Sequence, residues 1–179
     1  MYKPMYFVSL LETITGIDAG LNPQAGVDSY FIAKAKHDNK EVLEVESMKF
    51  QINLLFGLSD EVASLLIEET IDNYDQSVEG LKKLYEAWRQ GDEEKILEYD
   101  DESIDEDEEY SQEIIDEINE FNKKMVEDRN KTMTDTAINY FENNQDVFFM
   151  VGALHIIGED GLANQLKEHG YTVTKVSPN

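Results

Sequence analysis

The expected fold rests on residues 146–176, which read DVFFMVGALHIIGEDGLANQLKEHGYTVTKV. DVFFMV is an apolar run that predicts a strand covered on both faces. Residues 159–169 predict a helix, and Gly170 suits the left-handed position that often ends one. YTVTKV alternates apolar and polar residues and predicts a last strand. Strand, loop, helix and strand in about thirty residues is typical of a right-handed crossover between parallel strands.

The rest of the chain is helical by pattern, with one further strand predicted over residues 41–45, EVLEV. Ser59 is a plausible N-cap for a helix that continues to Trp88, either unbroken or kinked near residues 77–80. Apolar residues also recur at helical spacing over residues 5–15, 27–39, 48–56 and 111–143. We therefore expect a helix-rich α/β fold, in which long helices pack around a small, mostly parallel sheet of about three strands.

Length predicts one domain over residues 1–179, with a loop at residues 98–110 where acidic side chains repel one another. The chain has 39 acidic against 15 basic residues, a formal net charge of −24, which argues against nucleic-acid and anionic-membrane partners. It has no cysteine, which excludes disulfides, thiol catalysis and cysteine zinc sites.

The sequence predicts neither a membrane span nor a signal peptide. No apolar run approaches the roughly 20 residues that a spanning helix needs. The first sixteen residues, MYKPMYFVSLLETITG, have a short apolar run broken by Glu12 and no small-residue cleavage site. The compartment stays open, with an extracytoplasmic or cell-envelope parent as one option.

Two predicted strands end in residues that suit a site. EVLEV is followed by Glu46, and DVFFMV by Gly152 with His155 three residues on. Ligands of parallel α/β sheets collect outside the carboxyl ends of the strands. If the strands are parallel neighbours, Glu46 and His155 share a crevice where a carboxylate and an imidazole could bind a divalent metal.

Each candidate also has a structural interpretation. His155 could be a histidine at the edge of the core, and Glu46 could cap a helix or form a salt bridge. Gly152 would permit a close backbone approach or an unusual dihedral angle. Gly158 and Gly161 suit a tight entry into the next helix.

Arg129 and Asn130 interrupt the apolar face of the helix predicted over residues 111–143, and Asn is a poor residue for a helix interior. Arg129 could pair with acidic residues on the surface, or it could neutralise a carboxylate or an oxyanion in the crevice. Gln51 suits an exposed helix position by spacing alone. His37 and His169 are weaker candidates, since His169 also suits a helix C-terminus.

Four stretches in this order resemble the TraB/PrgY/GumN family, which includes the TIKI-like metalloproteases. They are residues 26–59, residues 81–97, EDRNKTM at 127–133 and VFFMVGALHIIGEDGLANQLKEHGYTV at 147–173. The resemblance implies a metal-dependent hydrolytic site built from two Gly-x-x-His motifs, a glutamate, and an Arg or Asn. The sequence GALH resembles the second of these histidine motifs.

The resemblance implies catalytic roles for Glu46, Arg129, Asn130 and His155, with Glu46 and His155 also as ligands of Mn²⁺, Co²⁺ or Zn²⁺. It implies substrate contacts at Gln51 and Gly152. The first Gly-x-x-His of the family is missing, so we expect an N-terminally incomplete domain. Its metal site would have one histidine and weak affinity. The missing strand would leave an exposed sheet edge that favours a homodimer.

Two functional hypotheses follow. In the first, the chain is the larger, C-terminal part of a metal-dependent hydrolase that cleaves a peptide or protein substrate. In the second, it is a regulatory protein that binds a peptide or partner without turnover, as family members that restrain a pheromone are thought to do. The crevice argument and the family resemblance favour the first hypothesis. The missing first histidine and the acidic charge favour the second.

Overall fold

The computed structural model describes residues 3–100 and 110–176, and regular structure in these ranges is entirely helical. A 3-10 turn, Pro23–Ala25, joins the first two helices. The α-helices of the described ranges, in chain order, are α1 (Pro4–Asp18), α2 (Val27–His37), α3 (Met48–Leu55), α4 (Asp60–Asp72), α5 (Tyr74–Gln90), α6 (Glu93–Asp100), α7 (Gln112–Met125), α8 (Glu127–Glu142), α9 (Ala153–Ile156) and α10 (Leu162–Glu168).

The prediction of an α/β fold is wrong, because the fold is all-α in the part of the chain that is described. The three segments predicted as strands, residues 41–45, 146–151 and 171–176, lie outside the helices and form no β-ladder there. A strand needs a neighbouring strand to satisfy its backbone N–H and C=O groups, and an apolar sequence cannot supply that neighbour. The side chain of Phe148 is exposed, although DVFFMV was predicted to be covered on both faces.

Three further expectations depended on the sheet and lose their basis with it. The right-handed crossover over residues 146–176 has no paired strands among the described residues. An exposed sheet edge is absent from the same ranges, so dimerisation through such an edge has no support. The argument that placed Glu46 and His155 at neighbouring strand ends also fails. Any role for these two residues has to rest on other observations.

Helix ends agree with the local sequence signals. The hydroxyl of Ser59 accepts a hydrogen bond from the backbone N–H of Val62 at 3.2 Å, which confirms the predicted N-cap of α4. Ser111 caps α7 in the same way. Gly170, just past α10, has a φ of +88°, so the predicted left-handed residue is confirmed.

Two long helices expected from periodicity are each divided. The stretch from Asp60 to Trp88 breaks at Asn73 rather than near residues 77–80. The stretch over residues 111–143 breaks at Val126, whose φ of −121° and ψ of −69° depart from helical values. The apolar pattern did not reveal either break. One non-helical residue shifts a 3.6-residue repeat so little that the apolar residues before and after the break still follow a helical spacing.

The chain divides between Lys83 and Leu84 into two compact units. In the first unit α1 packs against α4. Met5 and Val8 of α1 are buried, as are Val62 and Ala63 of α4. The Tyr74 hydroxyl donates a 2.7 Å hydrogen bond to the carboxylate of Asp18, which ties the start of α5 to the end of α1.

The second unit is organised around α8. This helix packs against α7 on the chain before it, and against α9 and α10 on the chain after it. Apolar side chains buried in the unit include Met133, Ala137 and Leu162. Asn130 and His155 are buried in the same unit, which is unusual for polar residues unless they are hydrogen-bonded.

Helix length and apolarity decide whether an element can cross a bilayer. A spanning helix needs about 20 mostly apolar residues. In the two described ranges no single helix meets that requirement. Taken together, α3 and α4 meet the requirement by length and composition alone, but the chain bends by 76° between them.

Candidate functional site

His155 lies on α9, a single helical turn. Gly152 precedes this turn with φ −58° and ψ 151°, and its carbonyl accepts the backbone N–H of His155 at 3.0 Å. An alanine Cβ at position 152 would lie 3.7 Å from His155 Cδ2, an ordinary contact. Gly152 therefore makes neither the close approach nor the unusual dihedral angle that the sequence allowed. The imidazole is 8% exposed, so little water reaches it.

The side chain of His155 pairs with Asn130 of α8. Its Nδ1 lies 2.8 Å from Asn130 Oδ1, and Asn130 is only 1% exposed. The Nδ2 group of Asn130 donates to the Asp160 carbonyl at 2.9 Å, and Gln165 Nε2 donates to the same carbonyl at 2.7 Å. Residues from two helices and a loop thus hold the imidazole in one place. Burial with a hydrogen bond fits both interpretations of His155, a histidine at the edge of the core and a site residue.

The loop between α9 and α10 depends on two glycines. Gly158 has a φ of +86°, a backbone conformation that other residues rarely adopt. Gly161 has an ordinary φ of −73°, but a Cβ there would press on the Ile157 carbonyl oxygen and lie 2.5 Å from that of Ile156. The predicted tight entry into the next helix is confirmed at both glycines. This tight loop places the Asp160 carbonyl against Asn130.

A groove of about 520 Å³ lies beside Asn130, and His155 itself is not among the residues that line it. Asn130 and Leu154 contribute to its wall, and the α9–α10 loop forms one side. Polar side chains from α7 and the start of α8 form the other side: Asn119, Asn122, Lys123 and Glu127. Side-chain amides carry both hydrogen-bond donors and acceptors, so this groove can hydrogen-bond to a peptide backbone.

Arg129 is adjacent to Asn130 in sequence but points to a different partner. Its Nη1 donates to the Met125 carbonyl at 3.0 Å, at the end of α7. This carbonyl is one of the last of its helix, where an arginine is favourable. The side chain is half-buried. A role on a reacting oxyanion stays a prediction.

Glu46 and Gln51 belong to the first unit. Gln51 Nε2 donates to Glu46 Oε2 at 3.4 Å, a long hydrogen bond. Glu46 is half-buried and directly precedes Ser47, the residue that caps α3, whereas Gln51 is exposed. The two residues are together, as their sequence spacing allows. The metal-binding and catalytic roles predicted for Glu46, and the substrate contact predicted for Gln51, remain predictions.

The other two histidines, His37 and His169, have different surroundings. His37 Nδ1 is 2.8 Å from the Asp38 carboxylate, and the side chain of His37 is 87% exposed. His169 ends α10, where its Nδ1 is 2.8 Å from the Gln165 carbonyl. Neither is buried, so His155 differs from both in its surroundings.

Comparison with protein families agrees with the motifs. A family model for the TraB/PrgY/gumN family matches residues 1–175. The chain belongs to the TraB/PrgY/gumN family. Comparisons with curated proteins and with solved structures found no match.

The metal site implied for the TraB/PrgY/gumN family can be tested against the side chains of each unit. Zinc and manganese sites use at least three protein ligands in most enzymes. Within neither unit do the described residues bring together three or more His, Asp or Glu side chains that could hold an ion. The partner of His155 Nδ1 is the amide oxygen of Asn130. The described residues of a single unit therefore do not fit a complete metal site.

Sequence reasoning missed two residues that support His155, Asp160 and Gln165, and a buried residue on the same helix as Asn130, Thr134. Asp160 acts through its backbone carbonyl, which leaves no side-chain signature. The side chain of Gln165 donates to that carbonyl, a contact that no sequence motif marks. Thr134 is 1% exposed, and its hydroxyl has no hydrogen-bond partner among the described residues. One signal could have found Thr134. It lies four residues after Asn130 on α8, a spacing that places both on one face of a helix.

Proposed function

We propose that this member of the TraB/PrgY/gumN family is a hydrolase that acts on peptide or protein substrates, with His155 as its central catalytic residue. The observation that carries the proposal is the buried hydrogen bond between His155 and Asn130. A buried imidazole held by a second polar residue is typical of a general acid–base group, because proton transfer needs a fixed ring nitrogen. The family's implied hydrolytic chemistry supports the same assignment.

The role proposed for His155 is to take a proton from the attacking water and return it to the leaving amine. General acid–base catalysis of this kind contributes about 10²–10⁴-fold. The partly water-excluded surroundings of His155 suit this role, since a positioned base works best where bulk water does not compete. A dependence on Mn²⁺, Co²⁺ or Zn²⁺ is also proposed, and the family resemblance is its support. Such an ion would activate water when bound.

The groove beside Asn130 is the proposed place for the substrate. The amides of Asn119 and Asn122 can pair with the N–H and C=O groups of an extended peptide. Leu154 offers apolar surface in the same groove. Together these side chains favour a peptide over a nucleotide or a sugar phosphate, both of which the negative charge of the protein would repel.

The test combines cleavage of a peptide panel with thermal unfolding in Mn²⁺, Co²⁺, Zn²⁺ and Ca²⁺. The variants are His155→Ala and, as the matched control, His37→Ala, which removes an exposed imidazole. A cation at 100 times its Kd stabilises the folded state by about 2.7 kcal/mol. This stabilisation corresponds to a rise in Tm of roughly 5–10 °C for a domain of this size.

We expect cleavage and any Mn²⁺ or Co²⁺ shift to be lost in His155→Ala and kept in His37→Ala. Cleavage that survives in His155→Ala would refute the catalytic role. An equal thermal shift in both variants would place the cation elsewhere, on the acidic surface. Unfolding of His155→Ala without cation is measured first, so that a folding defect is not counted as loss of activity.

The second candidate is a protein that binds a basic peptide without cleaving it. The net charge of −24 favours it, as do the acidic residues Glu127, Glu159 and Asp160 that line the groove. Attraction between exposed charges weakens as salt shortens the Debye length from about 10 Å at 0.1 M to 3 Å at 1 M. Binding without turnover that weakens steeply with salt would support this alternative. Turnover of the same peptide would exclude it.

A further inference from the structure

We propose that Asn130 is a positioning residue that keeps the proton of the neutral His155 ring on Nδ1, which makes Nε2 the nitrogen that reacts. The assignment of the tautomer rests on geometry alone. Calling Nε2 the reacting nitrogen rests on the proposed function. The family resemblance had implied a catalytic role for Asn130 itself.

The first step identifies the two ends of the Asn130 amide. One end lies 2.9 Å from the Asp160 carbonyl oxygen. A carbonyl oxygen can only accept a hydrogen bond, so the atom facing it is the Nδ2 donor. The other end, 2.8 Å from His155 Nδ1, is therefore Oδ1.

The second step assigns the proton on the ring. Oδ1 of an amide has lone pairs and no hydrogen, so it can only accept. The atom that faces it, His155 Nδ1, must then donate and must carry a hydrogen. A neutral imidazole has one N–H, which leaves Nε2 as the nitrogen with a lone pair. That nitrogen can take a proton from water or donate to a metal ion.

The third step shows that Asn130 cannot easily turn over. A reversed amide would put an N–H group against Nδ1 and an oxygen against the Asp160 carbonyl. Asp160 is itself held in place, because its carbonyl also accepts a hydrogen bond from Gln165 and because the next residue, Gly161, leaves no room for a Cβ beside the Ile157 carbonyl. Asn130 is 1% exposed, so water cannot replace the lost partners without rearrangement. The amide is fixed, and the tautomer with it.

The experiment reads the protonation of each ring nitrogen directly. Long-range ¹H–¹⁵N correlation spectra of ¹⁵N-labelled protein distinguish protonated from unprotonated imidazole nitrogens. Spectra are recorded at about pH 8.5, where an unperturbed histidine is neutral. The chain has three histidines, and loss of one set of signals in His155→Ala assigns His155.

We expect wild-type His155 to have a protonated Nδ1 and an unprotonated Nε2. Asn130→Leu is of similar size, lacks the acceptor, and should shift both nitrogen signals toward a mixture of tautomers. Gln165→Met is the matched control. It removes the other donor to Asp160 but leaves Asn130 in place, so the wild-type pattern should persist. A protonated Nε2 in the wild type, or an unchanged pattern in Asn130→Leu, would overturn the proposal.

The wild-type spectrum decides the tautomer even if Asn130→Leu fails to fold. The spectra need neither substrate nor metal, so they separate this inference from the proposed function. With active protein, Asn130→Leu should lower kcat/KM by about 10–100-fold, as expected for a residue that orients a reacting histidine. The loss should fall on kcat rather than KM. If the wild type has a protonated Nδ1 but does not hydrolyse peptides, only the proposed function is refuted. If the wild type hydrolyses peptides but has a protonated Nε2, only the positioning role of Asn130 is refuted.

Discussion

Replacing Gly161 by alanine should disrupt the support of His155 by adding a single methyl group. The added Cβ would press on the Ile157 carbonyl oxygen and lie 2.5 Å from that of Ile156. Real Cβ contacts essentially never fall below 3.0 Å, so the Ile156 carbonyl must move by at least about half an ångström. Backbone has to shift because no flexible side chain lies in the way.

The cost of Gly161→Ala can be estimated from two effects. Overpacking of a tight site costs about 1–3 kcal/mol. The displaced loop carries the Asp160 carbonyl, and losing its bond to Asn130 would leave a buried group unsatisfied at about 1–3 kcal/mol. We therefore expect a loss of about 2–5 kcal/mol, or a fall in Tm of roughly 10 °C.

Gly152→Ala is the matched control for this prediction. Both glycines precede a short helix with similar extended dihedral angles, so backbone strain is the same in the two variants. Only the surroundings of the new methyl group differ, because at position 152 it meets His155 Cδ2 at 3.7 Å. Gly152→Ala should stay within about 1 kcal/mol of wild type.

Urea denaturation followed by tryptophan fluorescence measures both variants. Trp88 is the only tryptophan of the chain, lies in the second unit, and stacks on Tyr85 with ring centroids 5.9 Å apart. Its signal therefore reports the unit that contains the mutations. If Gly161→Ala is as stable as Gly152→Ala, the tight packing of the α9–α10 loop is refuted, and with it the rigidity assigned to the Asp160 carbonyl.

Two further predictions concern stability. Thr134→Val should raise the free energy of unfolding by about 1 kcal/mol, because it replaces a buried hydroxyl that has no partner among the described residues. Thr134→Ser should lower the free energy of unfolding, because it keeps the hydroxyl and removes a buried methyl group. A lower urea midpoint for Thr134→Val than for wild type would contradict this prediction. The pKa of Asp92 is lowered by hydrogen bonds from the side chain and the backbone N–H of Lys95, so its stabilising effect is complete above the usual aspartate range near pH 4 and is lost as pH falls through the lowered pKa. Asp92→Asn keeps a capping oxygen but has no carboxylate to protonate, so its free energy of unfolding should fall less than that of wild type between about pH 5 and 2. If urea titrations give the two proteins the same dependence of unfolding free energy on pH, the role assigned to Asp92 is contradicted.

Local features of this fold could be predicted because they depend on neighbours in sequence. Ser59 was predicted to cap a helix, and its hydroxyl reaches a backbone N–H only three residues away. Gly170 was predicted to be left-handed, since a helix has to end within its own last turn. Strands are harder to predict than helix caps, because local sequence alone does not determine them. DVFFMV has high β propensity, but pairing depends on a distant segment that the local pattern does not contain.

The candidate site was only partly visible in sequence for the same reason. His155 and Asn130 were both selected, one for its glycine-rich surroundings and the other for its odd place on an apolar helix face. Their contact joins residues 25 positions apart and could not be read from either stretch. The break at Val126 was missed too, although it sets where α8 begins and so where Asn130 lies.

By itself the sequence determined most of the helical segments, the caps at Ser59 and Gly170, the acidic surface, the family, and the residue types available for chemistry. These depend on composition and on interactions within a few residues. Tertiary structure alone decided that the apolar segments at residues 41–45 and 146–151 form no sheet in the described ranges. It also decided that His155 is buried against Asn130. A hydrogen bond between distant residues exists only after packing has brought them within 3 Å, because its strength falls steeply with distance and angle.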